Sequence, residues 1–130
     1  MQSKLKNLLV TGGAGFIGAN FIHYWQKHYP DSLLVNLDLL TYAGSLDNLA
    51  GLPHPARHIF VQGDICDQPL VERLLEEHEI DTIVHFAAES HVDNSIKDPA
   101  LFVKTNVLGT HSLLEAARKA KCRFHHISTD

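Results

Sequence analysis

Short apolar runs alternate along this chain with longer stretches in which apolar residues recur every three or four positions. The short runs are typical of buried strands, and the longer stretches are typical of helices that cover a sheet with one face. The pattern predicts strands at 7–11, 33–37, 58–62, 82–86 and 123–128. It predicts helices at 15–28, 68–77 and 99–120, with a short helix near 46–50.

The two later helices share a start signal, an aspartate followed closely by a proline. Asp67 can cap the second helix, which has Pro69 in its first turn, and Asp98-Pro99 repeats the pattern before the long helix. The residues that the helical spacing places together are Phe21, Ile22, Trp25 and Tyr29 in the first helix, Val71, Leu74 and Leu75 in the second, and Leu101, Thr105, Leu108, Ser112 and Ala116 in the third.

Strands that alternate with helices predict a parallel sheet with helices on both faces. Right-handed crossovers then give a doubly wound α/β (Rossmann) fold with strand order 3-2-1-4-5, and we expect residues 1–130 to form one domain. Ligands bind such sheets beyond the carboxyl ends of the strands, at the switch point between strands 1 and 4. Functional residues are therefore expected in the loops that follow the strands.

The loop after the first strand has the sequence TGGAGFIG, from Thr11 to Gly18. Gly12 allows a tight turn, Gly15 lets the backbone approach a pyrophosphate, and Gly18 lets the next helix pack closely on the strand. The free N–H groups and the dipole of that helix then face the phosphates. The motif predicts a dinucleotide site, although a merely structural glycine turn would have the same spacing.

An acidic residue, Asp38, ends the second apolar run. Its distance from the glycine turn is near that of an acid that accepts hydrogen bonds from the adenosine ribose hydroxyls. A carboxylate at this place repels a 2′-phosphate, so the sequence favours NAD over NADP as the cofactor.

Composition narrows the classes of protein without identifying one. The 130 residues are 45% hydrophobic, carry a net charge of −4, and include no apolar run as long as a membrane span. Lys and Arg are scattered, which argues against nucleic acid as a partner. Cys66 and Cys122 form no CxxC pair, so we expect two reduced thiols and a cytoplasmic protein. Ten histidines without an HExxH motif do not predict a metal site.

Six segments carry a family resemblance: TGGAGFIG, LDLLTYAGSLDNL, GDICD, HFAAESHVDNSI, TNVLGT and HHISTD. They resemble the extended short-chain dehydrogenases/reductases, and among these the dTDP-glucose 4,6-dehydratase group of nucleotide-sugar enzymes. The resemblance covers nearly the whole chain. LTYAG, AAESHVD and HHISTD in this order are typical of that group, whereas TGGAGFIG and GDI also occur in epimerases and decarboxylases.

The resemblance implies a role for individual residues. Those implied to bind NAD are Phe16 and Ile17 at the pyrophosphate, Asp38, Leu39, Leu40 and Thr41 at the ribose, Asp64 and Ile65 at the adenine, Phe86, Ala87, Ala88 and Ser90 at the nicotinamide, and Thr105 on the long helix. Ser90 would also approach the sugar nucleotide. Thr129 would hydrogen-bond the C4 hydroxyl of the sugar, and Asp130 would be the general acid that protonates the leaving C6 hydroxyl.

The chain also departs from the family pattern. Asn94 stands where the group usually has Arg, and Leu39 stands where it usually has Lys. The sequence ends at Asp130, whereas the family continues with a Glu base, a Tyr-x-x-x-Lys pair and a sugar-nucleotide domain. We therefore expect the NAD-binding segment of a dehydratase, inactive alone, whose whole protein forms a homodimer.

Two alternatives remain open. One is another nucleotide-sugar dehydratase, an epimerase or a decarboxylase of the same superfamily; Thr129-Asp130 argues against an epimerase, which usually lacks that acid. The other is a stand-alone NAD-binding module with a regulatory or scaffolding role.

Overall fold

The computed structural model describes residues 7–12, 16–39, 46–87 and 99–128. Its centre is a parallel sheet of five strands in the order β3-β2-β1-β4-β5, which confirms the predicted topology. The strands are β1 (Leu8–Thr11), β2 (Leu34–Asp38), β3 (His58–Gln62), β4 (Thr82–Ala87) and β5 (Arg123–Ser128). Their bounds agree with the predicted ones to within a residue at each end.

Three α-helices are described, α1 (Phe16–His28), α2 (Gln68–Glu77) and α3 (Pro99–Ala120). Short 3₁₀ helices at Leu46–Leu49 and Pro55–Arg57 lie between β2 and β3, and the second of them was not predicted. The cap of α2 is confirmed, because the Asp67 carboxylate accepts a hydrogen bond from the Leu70 N–H at 3.2 Å. None of these helices is long and apolar enough to cross a membrane.

The sheet buries apolar side chains on both faces, as a doubly wound fold requires. The cluster on the α1 face consists of Leu8, Val10, Ala19, Ile22, Leu34, Leu49, Val84 and Phe86. The cluster on the face of α2 and α3 consists of Leu9, Val35, Leu37, Val71, Leu74, Leu75, Ile80, Ile83, Leu113, Ala116 and Ala117. The central strand β1 is buried along its whole length.

Two details of the predicted helix faces are wrong. Leu108 was placed on one stripe with Ser112 and Ala116, yet it is 50% exposed while the other two are buried. The buried side of α3 carries Leu113, Ala116 and Ala117, which belong to the core cluster on this face of the sheet. Tyr29 was placed on the apolar face of α1, but it follows the helix and is half exposed.

Asn7 connects the loops at the amino edge of the sheet, which is the side at which the strands begin. Its amide nitrogen Nδ2 donates to the carbonyl oxygens of His78 at 3.1 Å and Glu79 at 3.3 Å, and its Oδ1 accepts from the Leu33 N–H at 3.3 Å. The backbone adds Leu8 N–H to Leu33 O and Asp81 N–H to Asn7 O, each at 3.0 Å. These bonds fix the loops that enter β1, β2 and β4 relative to one another.

Candidate functional site

The predicted site residues that the structure describes lie at the carboxyl edge, the side at which the strands end. Gly12 follows β1, Asp38 is the last residue of β2, Asp64 follows β3, and Phe86 and Ala87 end β4. The predicted residues outside the described part of the chain are Gly15, Leu40, Thr41, Ala88, Ser90, Thr129 and Asp130. Asn94, the departure from the family pattern, also lies outside it.

The end of β1 turns so tightly that only glycine fits. Gly12 has φ +75°, and a Cβ built on it would lie 2.7 Å from the Phe86 carbonyl oxygen. Any larger residue would therefore meet both left-handed backbone strain and a clash with the backbone of β4. The Gly12 N–H donates to Leu37 O at 3.2 Å, which fixes the start of the turn against β2. The end of β1 and the backbone of β4 therefore lie in close contact at the switch point of the sheet.

Helix α1 begins at Phe16, four residues after Gly12, as the motif predicts. Gly18 and Ala19 are buried, and these small residues let the first turn of the helix pack against the sheet. Ile17 is exposed on the outer side. The first N–H groups of the helix have no partner within it, and together with the helix dipole they favour an anion at this end.

Asp38 and Leu39 lie beside the glycine turn at the end of the next strand. Gly63 N–H donates to Asp38 O at 3.1 Å, and the Gln62 side-chain amide donates to Leu39 O at 3.2 Å. The Asp38 side chain is half-buried, whereas Leu39 is exposed. The bonds from β3 hold the backbone on both sides of the carboxylate, so Asp38 stands at a fixed place on the edge.

The loop after β3 brings Asp64 and Ile65 to the same edge. One Asp64 carboxylate oxygen accepts from the Cys66 N–H at 2.9 Å, which orders the loop. Ile65 packs against Gly109 of α3, where a Cβ would lie within 2.6 Å of Ile65 Cγ1. Helix α3 can therefore approach this loop only because residue 109 is glycine.

Gly109 lets α3 approach the loop after β3, and the sequence analysis did not predict this role. A glycine in a helix interior costs roughly 1 kcal/mol relative to alanine, so its place within TNVLGT was a readable signal of close packing. Thr105, which the resemblance places at the cofactor, lies one turn earlier in the same helix.

Burial suppresses the chemistry of the two cysteines. It raises the pKa of the Cys66 thiol, helped by the nearby Asp64, and it raises the pKa of the Cys122 thiol as well. Both side chains therefore stay protonated near neutral pH. The described part of the chain brings no three His, Cys, Asp or Glu side chains together as a metal centre would require.

The two sides of β4 differ at this edge. Phe86 faces α1, where its ring lies 5.5 Å from that of Phe21. His85 faces α3 and is 3% exposed, so it is a packed core residue. Its Nδ1 lies 2.5 Å from Thr11 Oγ1, and its Nε2 lies 3.3 Å from Thr110 Oγ1. Burial, with a smaller contribution from His126, lowers the pKa of His85 to about 4, so its ring is neutral near pH 7.

Known proteins match most of this chain in sequence. The family model described as GDP-mannose 4,6 dehydratase matches residues 9–130. The dTDP-glucose 4,6-dehydratase of Mycobacterium tuberculosis is 54% identical over 123 residues, which are 95% of this chain. The chain spans only 36% of the length of that relative.

Solved structures share the fold. The dTDP-glucose 4,6-dehydratase of Streptomyces venezuelae, crystallised with NAD bound, is 49% identical with a TM-score of 0.77, covering 89% of this chain and 37% of its own. The UDP-glucose 4-epimerase of Thermotoga maritima has the same TM-score at 31% identity, covering 92% of this chain and 37% of its own. Both structures therefore share the backbone of this chain, and the dehydratase is the more identical of the two in sequence.

Proposed function

Because the chain belongs to the GDP-mannose 4,6 dehydratase family, we propose that it is the NAD-binding part of a dTDP-glucose 4,6-dehydratase. Identity favours this activity over that of the epimerase relative, at 54% against 31%. The end of the chain at Thr129-Asp130 agrees with the proposal, because a dehydratase needs an acid there and an epimerase does not. We assign residues 1–130 to one NAD-binding domain.

The fit of a dinucleotide rests on the turn at Gly12, and this single observation carries the proposal. The turn requires glycine, because a Cβ at this position would lie 2.7 Å from the Phe86 carbonyl oxygen, and helix α1 begins four residues later, at Phe16. A pyrophosphate is the anion that such a turn and helix start accommodate. Gly12, Gly15, Phe16, Ile17 and Gly18 would hold it.

The adenosine half would lie along the ends of β2 and β3. Asp38 would accept hydrogen bonds from the ribose, with Leu39, Leu40 and Thr41 around it, and Asp64 and Ile65 would flank the adenine. One Asp64 oxygen already accepts a hydrogen bond from the Cys66 N–H, which orders the carboxylate in this loop. Asp38 supplies the charge that favours NAD over NADP.

The nicotinamide half would lie over the end of β4. Phe86, Ala87, Ala88 and Ser90 would line it, with Thr105 reaching it from α3. Bound NAD supplies a hydride acceptor for C4 of the sugar and a hydride donor for C6. Ser90 would approach the sugar nucleotide, Thr129 would hydrogen-bond the C4 hydroxyl, and Asp130 would protonate the hydroxyl that leaves C6.

The proposed reaction belongs to the whole protein. The sugar of dTDP-glucose would be oxidised at C4, lose water across C5–C6 and regain a hydride at C6, giving dTDP-4-keto-6-deoxyglucose. The Glu base and the Tyr-x-x-x-Lys pair that the family uses are not among these 130 residues, so this chain by itself is expected to be inactive.

We propose that the whole protein is a cytoplasmic homodimer that uses α3 at its interface. Val107, Leu108 and Leu114 are 61%, 50% and 45% exposed, and Leu114 lies about two turns after Val107 on the exposed side of the helix. A second copy of the helix would cover this apolar surface. Sedimentation of a Leu114→Glu variant is expected to show a monomer where the parent chain sediments as a dimer, and a parent monomer at micromolar concentration contradicts the proposal.

The experiment that tests NAD binding is calorimetry with an Asp38→Ala variant. Loss of the carboxylate is expected to weaken NAD binding by about 1–3 kcal/mol, because ribose hydroxyls lose their partner. Asp31→Ala is the matched control, since Asp31 is an exposed acid in the loop between α1 and β2, at the opposite edge. Equal NAD affinity in the parent and in Asp38→Ala would refute the placement.

A further inference from the structure

A row of side chains crosses the sheet one step below the carboxyl edge, on the face of α2 and α3. The strand register aligns Val61, Leu37, Thr11, His85 and His126 across the five strands. The first two are apolar, and the other three are polar. The change from apolar to polar falls at β1, where the switch point lies.

The polar part of the row is tied together by His85. One ring nitrogen contacts the hydroxyl of Thr11 on β1, and the other contacts the hydroxyl of Thr110 on α3. Thr11 is itself only 1% exposed, so water does not compete for its hydroxyl. The ring thus joins the strand that precedes the glycine turn to the helix that packs on Ile65.

A neutral imidazole is suited to this place. It offers one N–H donor and one acceptor nitrogen, and each threonine hydroxyl can take either role. Fixing one bond therefore fixes the tautomer, and with it the direction of the other bond. The groups that face the ring from the packed elements are Thr11, Thr110, Phe124 and His126, of which only His126 titrates.

We propose that His85 is a positioning residue of the NAD site, which sets the distance between the glycine turn and α3 through the bridge Thr11–His85–Thr110. This inference rests on the proposed NAD binding. The bridge connects the two walls between which the cofactor would lie: the turn at Gly12 adjoins Thr11, and Gly109 adjoins Thr110. Loss of the bridge would loosen both walls without removing any group that touches NAD.

Helix α3 provides its own control. Ser112 lies two residues after Thr110 and is buried. Its Oγ has no hydrogen-bond partner in the described part of the chain. Removing that hydroxyl removes no bond that the structure shows. Thr110→Val and Ser112→Ala therefore each delete one hydroxyl from the same helix, and only the first breaks the bridge.

The test is NAD calorimetry on the parent chain and on Thr110→Val, Thr110→Ser and Ser112→Ala, after urea unfolding has shown each variant to be folded. We expect Thr110→Val to lose about tenfold in affinity, Thr110→Ser to stay within about twofold, and Ser112→Ala to match the parent. Rescue by serine separates the hydroxyl from the packing of the threonine methyl group. Equal affinity of Thr110→Val and the parent, or equal loss in the valine and serine variants, overturns the inference.

An NMR measurement keeps the two proposals apart. If the parent chain does not bind NAD, the proposed function fails. The Gly12 amide resonance still tests, without NAD, whether Thr110 is linked to the glycine turn. We expect this resonance to shift in Thr110→Val and not in Ser112→Ala. An unchanged Gly12 resonance contradicts the bridge.

Discussion

The two edges of the sheet are built differently, although the same strands connect them. At the amino edge, the Asn7 amide and several backbone hydrogen bonds tie the entering loops to one another. At the carboxyl edge, the backbone approaches its neighbours closely at two glycines: Gly12 lies against β4, and Gly109 lies against the loop after β3.

This difference separates the residues that hold the fold from the residues that would bind. Ligands of doubly wound sheets bind beyond the carboxyl ends of the strands, and the opposite edge carries only stability. Substitutions at the amino edge are therefore expected to change the free energy of unfolding and leave NAD affinity alone. Substitutions at the carboxyl edge are expected to change NAD affinity first.

Gly12→Ala is expected to have the largest effect, because it breaks the carboxyl edge itself. Left-handed strain and the clash with Phe86 O together should lower the free energy of unfolding by about 4 kcal/mol and abolish NAD binding. The matched control is Gly51→Ala. Gly51 has φ +76°, but a Cβ built on it would have nothing within 4 Å. Gly51→Ala should therefore lower the free energy of unfolding by about 1 kcal/mol, from backbone strain alone. Urea unfolding measures both, and equal losses would contradict the clash.

The second largest effect is expected from acidification, which should lower the free energy of unfolding through His85 near the carboxyl edge. The unfolded chain binds a proton on His85 near pH 6.5, but the folded chain does so only near its lowered pKa of about 4. Stability from this group is therefore complete above pH 6.5 and is lost as the pH falls from 6.5 towards 4, by about 3 kcal/mol in total.

Unfolding measured at several pH values checks this loss. His85→Gln should remove most of it, because glutamine does not titrate. A smaller loss of the same sign should remain from His58, whose pKa is lowered by burial. A parent whose stability stays flat between pH 6.5 and 4 contradicts a buried neutral ring at position 85.

Asn7→Ala tests the amino edge. The variant loses three side-chain hydrogen bonds and leaves two carbonyl oxygens without that donor, so we expect a loss of about 2 kcal/mol in unfolding free energy. NAD affinity should stay within about twofold of the parent's if the edges are independent. A large loss of affinity in a folded Asn7→Ala variant would show that the edges are coupled.

Glu79→Gly should have the smallest effect, and it should stabilise. Glu79 ends the turn after α2 with φ 53°, a conformation that glycine adopts without strain. We expect a gain of about 0.5–1 kcal/mol in unfolding free energy, with NAD affinity unchanged. Lys121→Gly, at φ 60° after α3, provides a second instance of the same turn. Destabilisation in both variants would contradict this account.

Much of the fold follows from local patterns. The alternation of strands and helices gave the strand order, and Asp67 with Pro69 gave the start of α2. Helix α3 shows where such patterns fail: apolar residues occur on two of its sides, and the spacing of Leu108 with Ser112 does not say which side meets the sheet. The packing of Leu113, Ala116 and Ala117 in the core settles this, together with the contact of Gly109 with Ile65, which joins residues 44 positions apart.

In the site, as in the fold, local patterns predict some residues and not others. The turn at Gly12 and the acid at Asp38 could be predicted, because a short motif with fixed spacing contains them. The bridge through His85 could not, since its partners Thr11 and Thr110 lie 74 and 25 residues away in the sequence. The assignments of Ser90, Thr129 and Asp130 stay predictions.

The position of β1 at the centre of the sheet also has a consequence for biosynthesis. Leu8 pairs with Leu34 on one side and with Thr82 on the other. At about 5–20 residues per second, the ribosome needs roughly 4–15 s after making Leu8 before Thr82 exists. During that interval the earliest strand has one open side, which is where a nascent-chain chaperone would be needed.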